Sequence, residues 1–302
     1  MYAVGGGGGW SGIRTMSPKQ MLTVIIVVFS VLSFVKLLFL TISSFSSSAS
    51  SSSAHNSAWD DGGNGTGTGR GALAAKELAL LRSLVAARAP CRLLVFGLSP
   101  QLLALAALNS GAGAGATTAF VTDSAEDAAA ARRALRGTGE SADAVAVHRA
   151  RYRDAAREAW PLLRRARGSP ACRRPSTGNL GKSGCPLALT AAALPRGVLD
   201  ARWDVVVVDG PSGAAPEEPG RMGTIYTAAA LARAAAAAAE GGKGAAVDVA
   251  VHDVDRTIER WYAWEYLCED NLVAAKGRLW HFRIAGGGPS DAFCNVGPAQ
   301  IL

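Results

Sequence analysis

The segment WDVVVVDGPSGAAPEEPGRMGTIYTAAALAR, residues 203–233, decides the fold. Its four consecutive valines, 205–208, are a β-branched run of the kind found in a strand buried on both faces of a sheet. Asp209 follows this run directly, and a loop rich in proline and glycine, 210–220, leads into a helix predicted from residue 221 to about residue 240. A strand, a rigid loop and a helix in this order indicate one unit of a parallel α/β sheet.

The same alternation continues on both sides of this segment. Upstream, an apolar helical stripe ends before Pro90, and downstream residues 247–251 read as another buried strand. Between them the pattern predicts strands at 93–96, 118–121 and 144–147, helices at 101–108 and 124–136, and a segment at 152–167 that extends the alternation. We therefore expect an α/β fold with a parallel sheet covered by helices on both faces.

Five residues follow the predicted strands at the points where these end. They are Gly97, Asp123, Asp209, His252 and Asp253. In open α/β sheets, ligands bind beyond the carboxyl ends of the parallel strands. The sequence therefore predicts that these residues line one crevice.

Acid–base chemistry is the expected work of the residues that follow the two later strands. Asp209, with His252 or Asp253, would supply a general base beside an acceptor hydroxyl, and Arg221 would recognise an acidic group of the substrate. Structural roles stay open at this stage. Asp209 could cap the following helix or pair with Arg221, and His252 could be a core histidine.

Gly97 and Asp123 are the candidates for binding a nucleoside-containing cofactor. A tight turn after the first strand lets the backbone approach the ligand, and a carboxylate after the second strand accepts hydrogen bonds from ribose hydroxyls. Two plainer interpretations remain, because a glycine follows the first strand in any doubly wound fold and because Asp123 could cap the helix that begins after it.

The N-terminal part of the chain carries a predicted membrane anchor. Residues 21–40 read MLTVIIVVFSVLSFVKLLFL, and a helix of this length, at about 1.5 Å per residue, spans the roughly 30 Å hydrocarbon core of a bilayer. Arg14 and Lys19 precede the span and no Lys or Arg follows it before Arg70. The positive-inside rule then places the N-terminus in the cytosol and the bulk of the chain in the lumen. A cleaved signal peptide is the alternative.

This topology divides the chain into four predicted parts. Residues 1–20 form a cytosolic tail, 21–42 a transmembrane signal anchor, 43–70 a disordered stem rich in Ser and Gly, and 71–302 a lumenal domain. Asn64 begins an Asn-Gly-Thr glycosylation acceptor in the stem, which is meaningful only on the lumenal side.

Charge and cysteine content are consistent with a lumenal address. The formal net charge is +7, but the arginines accompany a general Ala and Gly bias, and a lumenal domain is not expected to bind nucleic acid. No His/Cys spacing indicates a metal site. An oxidising lumen permits disulfides, and we pair Cys172 with Cys185 and Cys268 with Cys294 because each pair closes a short loop, although the sequence alone leaves other connectivities open. Cys91 remains as a buried thiol.

Several of these motifs together resemble a known plant family. VVVVDGPSG with EEPGRMGTIYTAAALAR, then VAVHDVDRTIER and YLCEDNL, are similar to the polysaccharide-biosynthesis domain shared by glucuronoxylan 4-O-methyltransferases and the irregular-xylem xylan-biosynthesis proteins. The resemblance runs from about residue 91 to residue 294. The HDVDRTIERWYAWEYLCEDNLVAAKGRLWHFRI stretch resembles the irregular-xylem branch more closely than the methyltransferase branch.

This resemblance implies a single-pass type II protein of the Golgi membrane that works on xylan, or glucuronoxylan, in secondary cell walls. It also implies a Rossmann-like, methyltransferase-type fold, S-adenosylmethionine as the cofactor, glucuronosyl side chains as the acceptor, and xylan synthase proteins as partners. Asp209, Arg221, His252 and Asp253 match the later motifs of the family.

The first loop departs from the family pattern. Ser99 stands where the methyltransferase members have a second glycine, and Gln101 or Leu102 occupies their acidic position. A side chain and a proline thus lie where backbone would approach the cofactor. Two hypotheses follow: an S-adenosylmethionine-dependent O-methyltransferase, or a noncatalytic scaffold or xylan-binding partner of the xylan synthase machinery.

Overall fold

The computed structural model describes residues 71–138, 144–174, 180–237, 246–286 and 292–294. Within these ranges, no helix combines the length and the apolar character that a bilayer crossing needs. The predicted tail, anchor and stem, and Asn64 with them, lie outside the described residues.

The central strand of the structure is the valine run, with strands on both sides of it. Seven strands of the described chain form one sheet in the order β3-β2-β1-β4-β5-β7-β6. Their bounds are β1 Arg92–Phe96, β2 Thr117–Thr122, β3 Val145–Arg149, β4 Val205–Val208, β5 Val247–Val251, β6 Leu272–Lys276 and β7 Leu279–Ile284.

The sheet is mixed, which corrects the prediction of a parallel sheet. Strands β1 to β5 are mutually parallel, but β7 runs antiparallel to β5 and β6 runs antiparallel to β7. The pairing of β6 with β7 is set by their short connection, where Gly277 takes the left-handed conformation with a φ of 58°. A two-residue connection can join only antiparallel neighbours, because a parallel pair needs a long crossover.

Helices cover both faces of the sheet, as the sequence predicted. They are α1 Ala75–Arg88, α2 Pro100–Ser110, α3 Ala125–Thr138, α4 Ala159–Gly168, α5 Pro170–Arg173, α6 Arg196–Leu199, α7 Met222–Ala237 and α8 Thr257–Leu267. Alternate residues of β1 face the two sides: Leu93 packs in the core under α1 and α2, and Leu94 packs in the core under α4, α7 and α8. The strand alternation thus builds two apolar layers from one sheet.

A buried ion cluster anchors α1 to the amino-terminal half of β5. Asp248 has no exposed surface, and its carboxylate accepts hydrogen bonds from Arg88, His281 and Arg283. Burial alone would raise the pKa of this carboxyl, but the three partners outweigh burial and lower the pKa to about 2. Asp248 therefore stays charged and ties α1, β5 and β7 together.

Both predicted cysteine pairs are joined in the structure. One disulfide links Cys172 to Cys185 and the other links Cys268 to Cys294. Cys91 is a buried free thiol, and burial raises its pKa to about 11. A thiol in this state is unreactive and serves as a small core residue.

Two glycines bring the ends of β1 and β4 unusually close together. Gly97 has a φ of 118°, and a Cβ on Gly210 would lie 2.8 Å from the Cα atom of Gly97. A Cβ on Gly97 would in turn lie 3.0 Å from the carbonyl carbon of Asp209. Backbone atoms stand in both places, so no side chain can move aside.

We predict that Gly210→Ala lowers the free energy of unfolding by about 1–3 kcal/mol, because the added methyl forces the two strand ends apart. Thermal or urea unfolding of the purified protein measures this loss. Gly197→Ala is the matched control: Gly197 is helical and has open space around its Cβ position, so the same change there should be neutral or slightly stabilising. Equal stability of the two variants would contradict the prediction.

Candidate active site

The candidate site lies at the edge where the five parallel strands end. The strand order reverses its direction of growth between β1 and β4, which is the switch point where α/β sheets of this kind bind ligands. Gly97 follows β1 and Asp209 follows β4, directly at this point, and their backbones are hydrogen-bonded through Asp209 N–H and the carbonyl of Phe96. His252 and Asp253 follow β5 next to it.

His252 is held between two carboxylates. Its Nδ1 atom lies 2.7 Å from Oδ1 of Asp209, and its Nε2 atom lies 3.2 Å from Oε2 of Glu77 on α1. The imidazole has no exposed surface, and Glu77 is 1% exposed. Glu77 is further held by the backbone N–H groups of Ala74 and Arg278.

This arrangement favours the protonated state of His252. When both carboxylates are ionised they only accept hydrogen bonds, so both ring nitrogens donate and the ring is an imidazolium. Burial lowers the pKa of His252, but the hydrogen bond to Asp209 and the charges of Asp209 and Asp253 outweigh burial and raise it. For Glu77 burial acts to raise the pKa, but the backbone N–H bonds and the charge of His252 outweigh it and lower the pKa. In this state His252 has no lone pair to receive a proton.

Arg221 occupies the interior of the site. It is 2% exposed, and it donates to the carbonyls of Pro211 and His252. Its Nη2 atom lies 2.9 Å from Asp253 and 3.6 Å from Asp209. The guanidinium thus binds the proline- and glycine-rich loop to the end of β5 and directs its donors inward. Its ion pair with Asp209 is the structural role that the sequence left open for these two residues.

Asp253 is the centre of a second set of ion pairs. Its backbone has a φ of 61°, a strained value for a residue with a Cβ atom. Its carboxylate oxygens lie 2.9 Å or less from the guanidiniums of Arg221, Arg256 and Arg278. With Glu77, Asp209 and Glu259 as the other acids and His252 as the fourth cation, the described cluster holds four acids and four cations.

Asp209, His252 and Asp253 also have the donor atoms of a metal site, with one ligand atom of each lying within 4.8 Å of the others. Those donors are engaged differently here, because Asp253 faces three guanidiniums and the His252 ring is fully hydrogen-bonded. A divalent cation would add charge to a cluster that is already balanced. The absence of a metal stays a prediction.

The carboxylate of Asp123 has no partner among the described residues. Helix α3 begins after it, and the capping bond comes from the neighbouring residue instead: Oγ of Ser124 accepts from the backbone N–H of Asp127. Only the backbone carbonyl of Asp123 is engaged, by Arg149. The helix-cap interpretation of Asp123 therefore does not apply, and its carboxylate remains available for a ligand.

The altered first loop forms a regular helix start. Ser99 caps α2 by accepting from the N–H of Leu102, and Pro100 stands at the first helical position, where its missing N–H costs least. Gln101 binds both backbone groups of Leu73. Fewer backbone donors are therefore left for a ligand at this helix start than a glycine-rich loop would offer.

A match to known proteins agrees with these motifs. The family model described as IRX15/IRX15L/GXM matches residues 76–282. The chain belongs to the IRX15/IRX15L/GXM family.

Relatives in this family carry three kinds of name, all from Arabidopsis thaliana. Arabinogalactan O-methyltransferase 2 is 35% identical, over 72% of this chain and 71% of that protein. Protein IRREGULAR XYLEM 15 is 36% identical, over 68% of this chain and 59% of that protein. Glucuronoxylan 4-O-methyltransferase 1 is 34% identical, over 69% of this chain and 66% of that protein. Identities this similar do not separate the branches.

Solved structures show a more distant likeness. The O-methyltransferase TomG from Streptomyces achromogenes, solved with SAM, aligns with 72% of this chain and 82% of its own, at 16% identity and a TM-score of 0.40. A methyltransferase from Geobacter sulfurreducens aligns with 71% of this chain and 82% of its own, at 13% identity and a TM-score of 0.37. Scores this low support no conclusion about ligand or activity.

We predict that Glu77→Gln changes the pH dependence of stability. The raised pKa of His252 stabilises the fold fully below about pH 6.5, and this contribution is lost as pH rises through the folded-state pKa. The lowered pKa of Glu77 stabilises the fold above about pH 4.5, and that contribution is lost as pH falls through its folded-state pKa. The contribution of the pair to stability should therefore be largest between about pH 4.5 and 6.5.

Glu77→Gln should lower the unfolding free energy in that window by about 1–3 kcal/mol. It should also end the alkaline decline at a lower pH, because His252 loses one of the carboxylates that raise its folded-state pKa. Thermal unfolding across the pH range measures both effects. Glu269→Gln, at an exposed residue, should reproduce the native profile. An unchanged profile for Glu77→Gln would show that the pair is not charged.

Proposed function

We propose that this chain is an S-adenosylmethionine-dependent O-methyltransferase of plant cell-wall polysaccharide biosynthesis, with glucuronosyl side chains of xylan as the acceptor. The observation that carries the proposal is the uncommitted carboxylate of Asp123 next to the Gly97 turn at the switch point of the sheet. The family membership and the names of the methyltransferase relatives support it.

The described residues fit the proposed cofactor in part. At Gly97 the place of a Cβ atom is taken by the backbone of Asp209 and Gly210, so this glycine shapes the turn without adding room for a ligand. Asp123 offers two oxygens suited to ribose hydroxyls. When bound, S-adenosylmethionine would supply an electrophilic methyl group to an acceptor oxygen. The contribution of the chain would be to hold that oxygen in place and to receive its proton.

Asp209 is the proposed proton acceptor. Its Oδ1 atom faces His252 and Arg221, whereas its Oδ2 atom has no partner among the described residues and the side chain remains 9% exposed. His252 is instead a positioning residue, because an imidazolium cannot receive the proton but can hold the Asp209 carboxylate in one orientation. Arg221 and Asp253 would fix the loop and the strand end behind it.

The cellular setting is also a proposal. We infer that the predicted segment 21–42 anchors a lumenal domain in the Golgi membrane, as a single-pass type II protein that works with the xylan synthase proteins. The two disulfides support a lumenal address, because disulfides persist in oxidising compartments.

A noncatalytic scaffold or xylan-binding partner is the second candidate function. The start of α2 favours it: Pro100 has no N–H, and the N–H of Leu102 already donates to Ser99. A cofactor would find fewer backbone donors there. A protein of this kind would hold xylan or the synthases together without methyl transfer.

We predict that the full-length protein in detergent binds S-adenosylmethionine and that Asp123→Ala weakens this binding by about tenfold or more, because the ribose loses a charge-assisted hydrogen bond. Calorimetric titration measures the affinity. Ser124→Ala is the control, since it removes the helix cap beside Asp123 and leaves the carboxylate. No heat of binding from a folded native protein would favour the scaffold.

For methyl transfer we predict that Asp209→Asn lowers kcat by about 10²–10⁴-fold, the usual contribution of a general base, with an unchanged affinity for S-adenosylmethionine. Transfer of labelled methyl to glucuronoxylan and, separately, to arabinogalactan measures this and identifies the acceptor. Asp255→Asn, at an exposed residue near the same strand end, should keep full activity. Full activity of Asp209→Asn would remove Asp209 from the chemistry.

A further inference from the structure

A cavity at the same end of the sheet has no part in the site described so far. Its volume is about 180 Å³. The segment 151–154, which follows β3, forms one wall, and the segment 186–190 with Met222 and Gly223 of α7 forms the other. Met222 directly follows Arg221, so the cavity borders the catalytic cluster.

Tyr152 connects the cavity with the proposed cofactor site. It lines the cavity, and its hydroxyl is close enough to Asp123 and Arg221 for both charges to act on it. Burial and Asp123 raise the pKa of this hydroxyl far above its usual range, against the opposing effect of Arg221. The phenol is therefore neutral and can donate a hydrogen bond.

The Tyr152 hydroxyl is also buried without a hydrogen-bond partner among the described residues. Buried polar groups are nearly always satisfied in folded proteins, and an exception calls for an explanation. The hydroxyl oxygen has almost no accessible surface, so a ligand hydroxyl in the cavity supplies the missing bond only when the Tyr152 ring turns toward the cavity.

Two arginines flank Tyr152 and face outward. Arg151 and Arg153 both line the cavity and are exposed. Unlike Arg221, neither guanidinium has a hydrogen bond or an ion pair within the described part of the chain. A guanidinium matches a carboxylate in shape and charge, so two free ones beside a neutral hydroxyl donor form a receptor for an anion that carries hydroxyls.

We propose that this cavity binds one uronate residue of the acceptor polysaccharide, with Arg151 and Arg153 on its carboxylate and Tyr152 on a ring hydroxyl. The inference rests on the proposed function, for which it supplies the acceptor subsite. The cavity is smaller than the roughly 300–1,000 Å³ of sites for drug-sized ligands. This size suits a single sugar ring, with the remainder of the polysaccharide outside.

The test measures binding of three probes to full-length protein in detergent: a xylo-oligosaccharide with one glucuronosyl side chain, its carboxyl methyl ester, and the unsubstituted oligosaccharide. Arg151→Ala/Arg153→Ala should weaken binding of the acidic probe by about ten- to hundredfold. Its affinity for the other two probes should be unchanged. Arg164→Ala/Arg165→Ala is the matched control, because it removes two exposed arginines of α4 that lie outside the cavity wall. It should bind all three probes as the native protein does.

Tyr152→Phe provides a second, independent readout. Because the hydroxyl has no partner among the described residues, its removal should leave the melting temperature unchanged or higher, while the acidic probe binds more weakly by about two- to tenfold. A purely structural tyrosine would show the opposite pattern, with lower stability and unchanged binding. That pattern would overturn the assignment of Tyr152.

The outcomes separate this proposal from the proposed function. If the Arg151/Arg153 variant binds the acidic probe like the control, the uronate site is wrong, and methyl transfer to glucuronoxylan can still stand. If the variant no longer binds S-adenosylmethionine but still binds the acidic probe, the cavity belongs to the cofactor site, and the uronate site is again wrong. If no variant binds S-adenosylmethionine but the acidic probe is bound selectively, the uronate site holds and the methyltransferase assignment fails.

Discussion

The hydrogen bonds from one buried imidazolium to two carboxylates organise the functional end of this protein. His252 joins Asp209 at the end of β4 to Glu77 on α1, and the backbone of Arg278 in the β6–β7 turn completes the link to Glu77. Glu77 and Arg278 are 201 positions apart in the chain. A charged group at zero exposure is tolerated only when its partners are in place, so the site is complete only when the whole sheet is.

The polar groups at this edge of the sheet fall into two sets: one set is hydrogen-bonded within the protein, and the other lacks partners among the described residues. Around Asp209 and Asp253, nearly every polar group binds another protein group, which gives a rigid support for the one Asp209 oxygen that has no partner among the described residues. Around Asp123 and Tyr152, polar groups lack partners among the described residues. Rigid positioning on one side and free binding groups on the other are what a transfer reaction needs, because the reacting oxygen must be held while two ligands enter.

Local sequence patterns predicted the five parallel strands and most of the site, and missed β6, β7 and the contacts between distant parts of the chain. The run Val205–Val208 could be assigned because a continuous β-branched stretch has few other interpretations. The antiparallel hairpin around Gly277 could not, since strand direction is a tertiary property. Asp209 and His252 were predicted because they end strands, but Glu77 is the third residue of a helix, where an acid usually signals an N-terminus. Nothing near Glu77 in the sequence indicates an imidazole.

The two disulfides close different parts of the structure. Cys172–Cys185 spans 13 positions in the segment between α4 and β4, and Cys268–Cys294 spans 26 positions and ties the end of α8 to a residue beyond β7. Cross-links of this span remove freedom mainly from the unfolded chain. Maturation of the protein thus depends on the redox potential of its surroundings. In a thiol-reducing cytosol the same polypeptide would lack both disulfides. Recombinant protein is best produced in a host that oxidises cysteines during secretion.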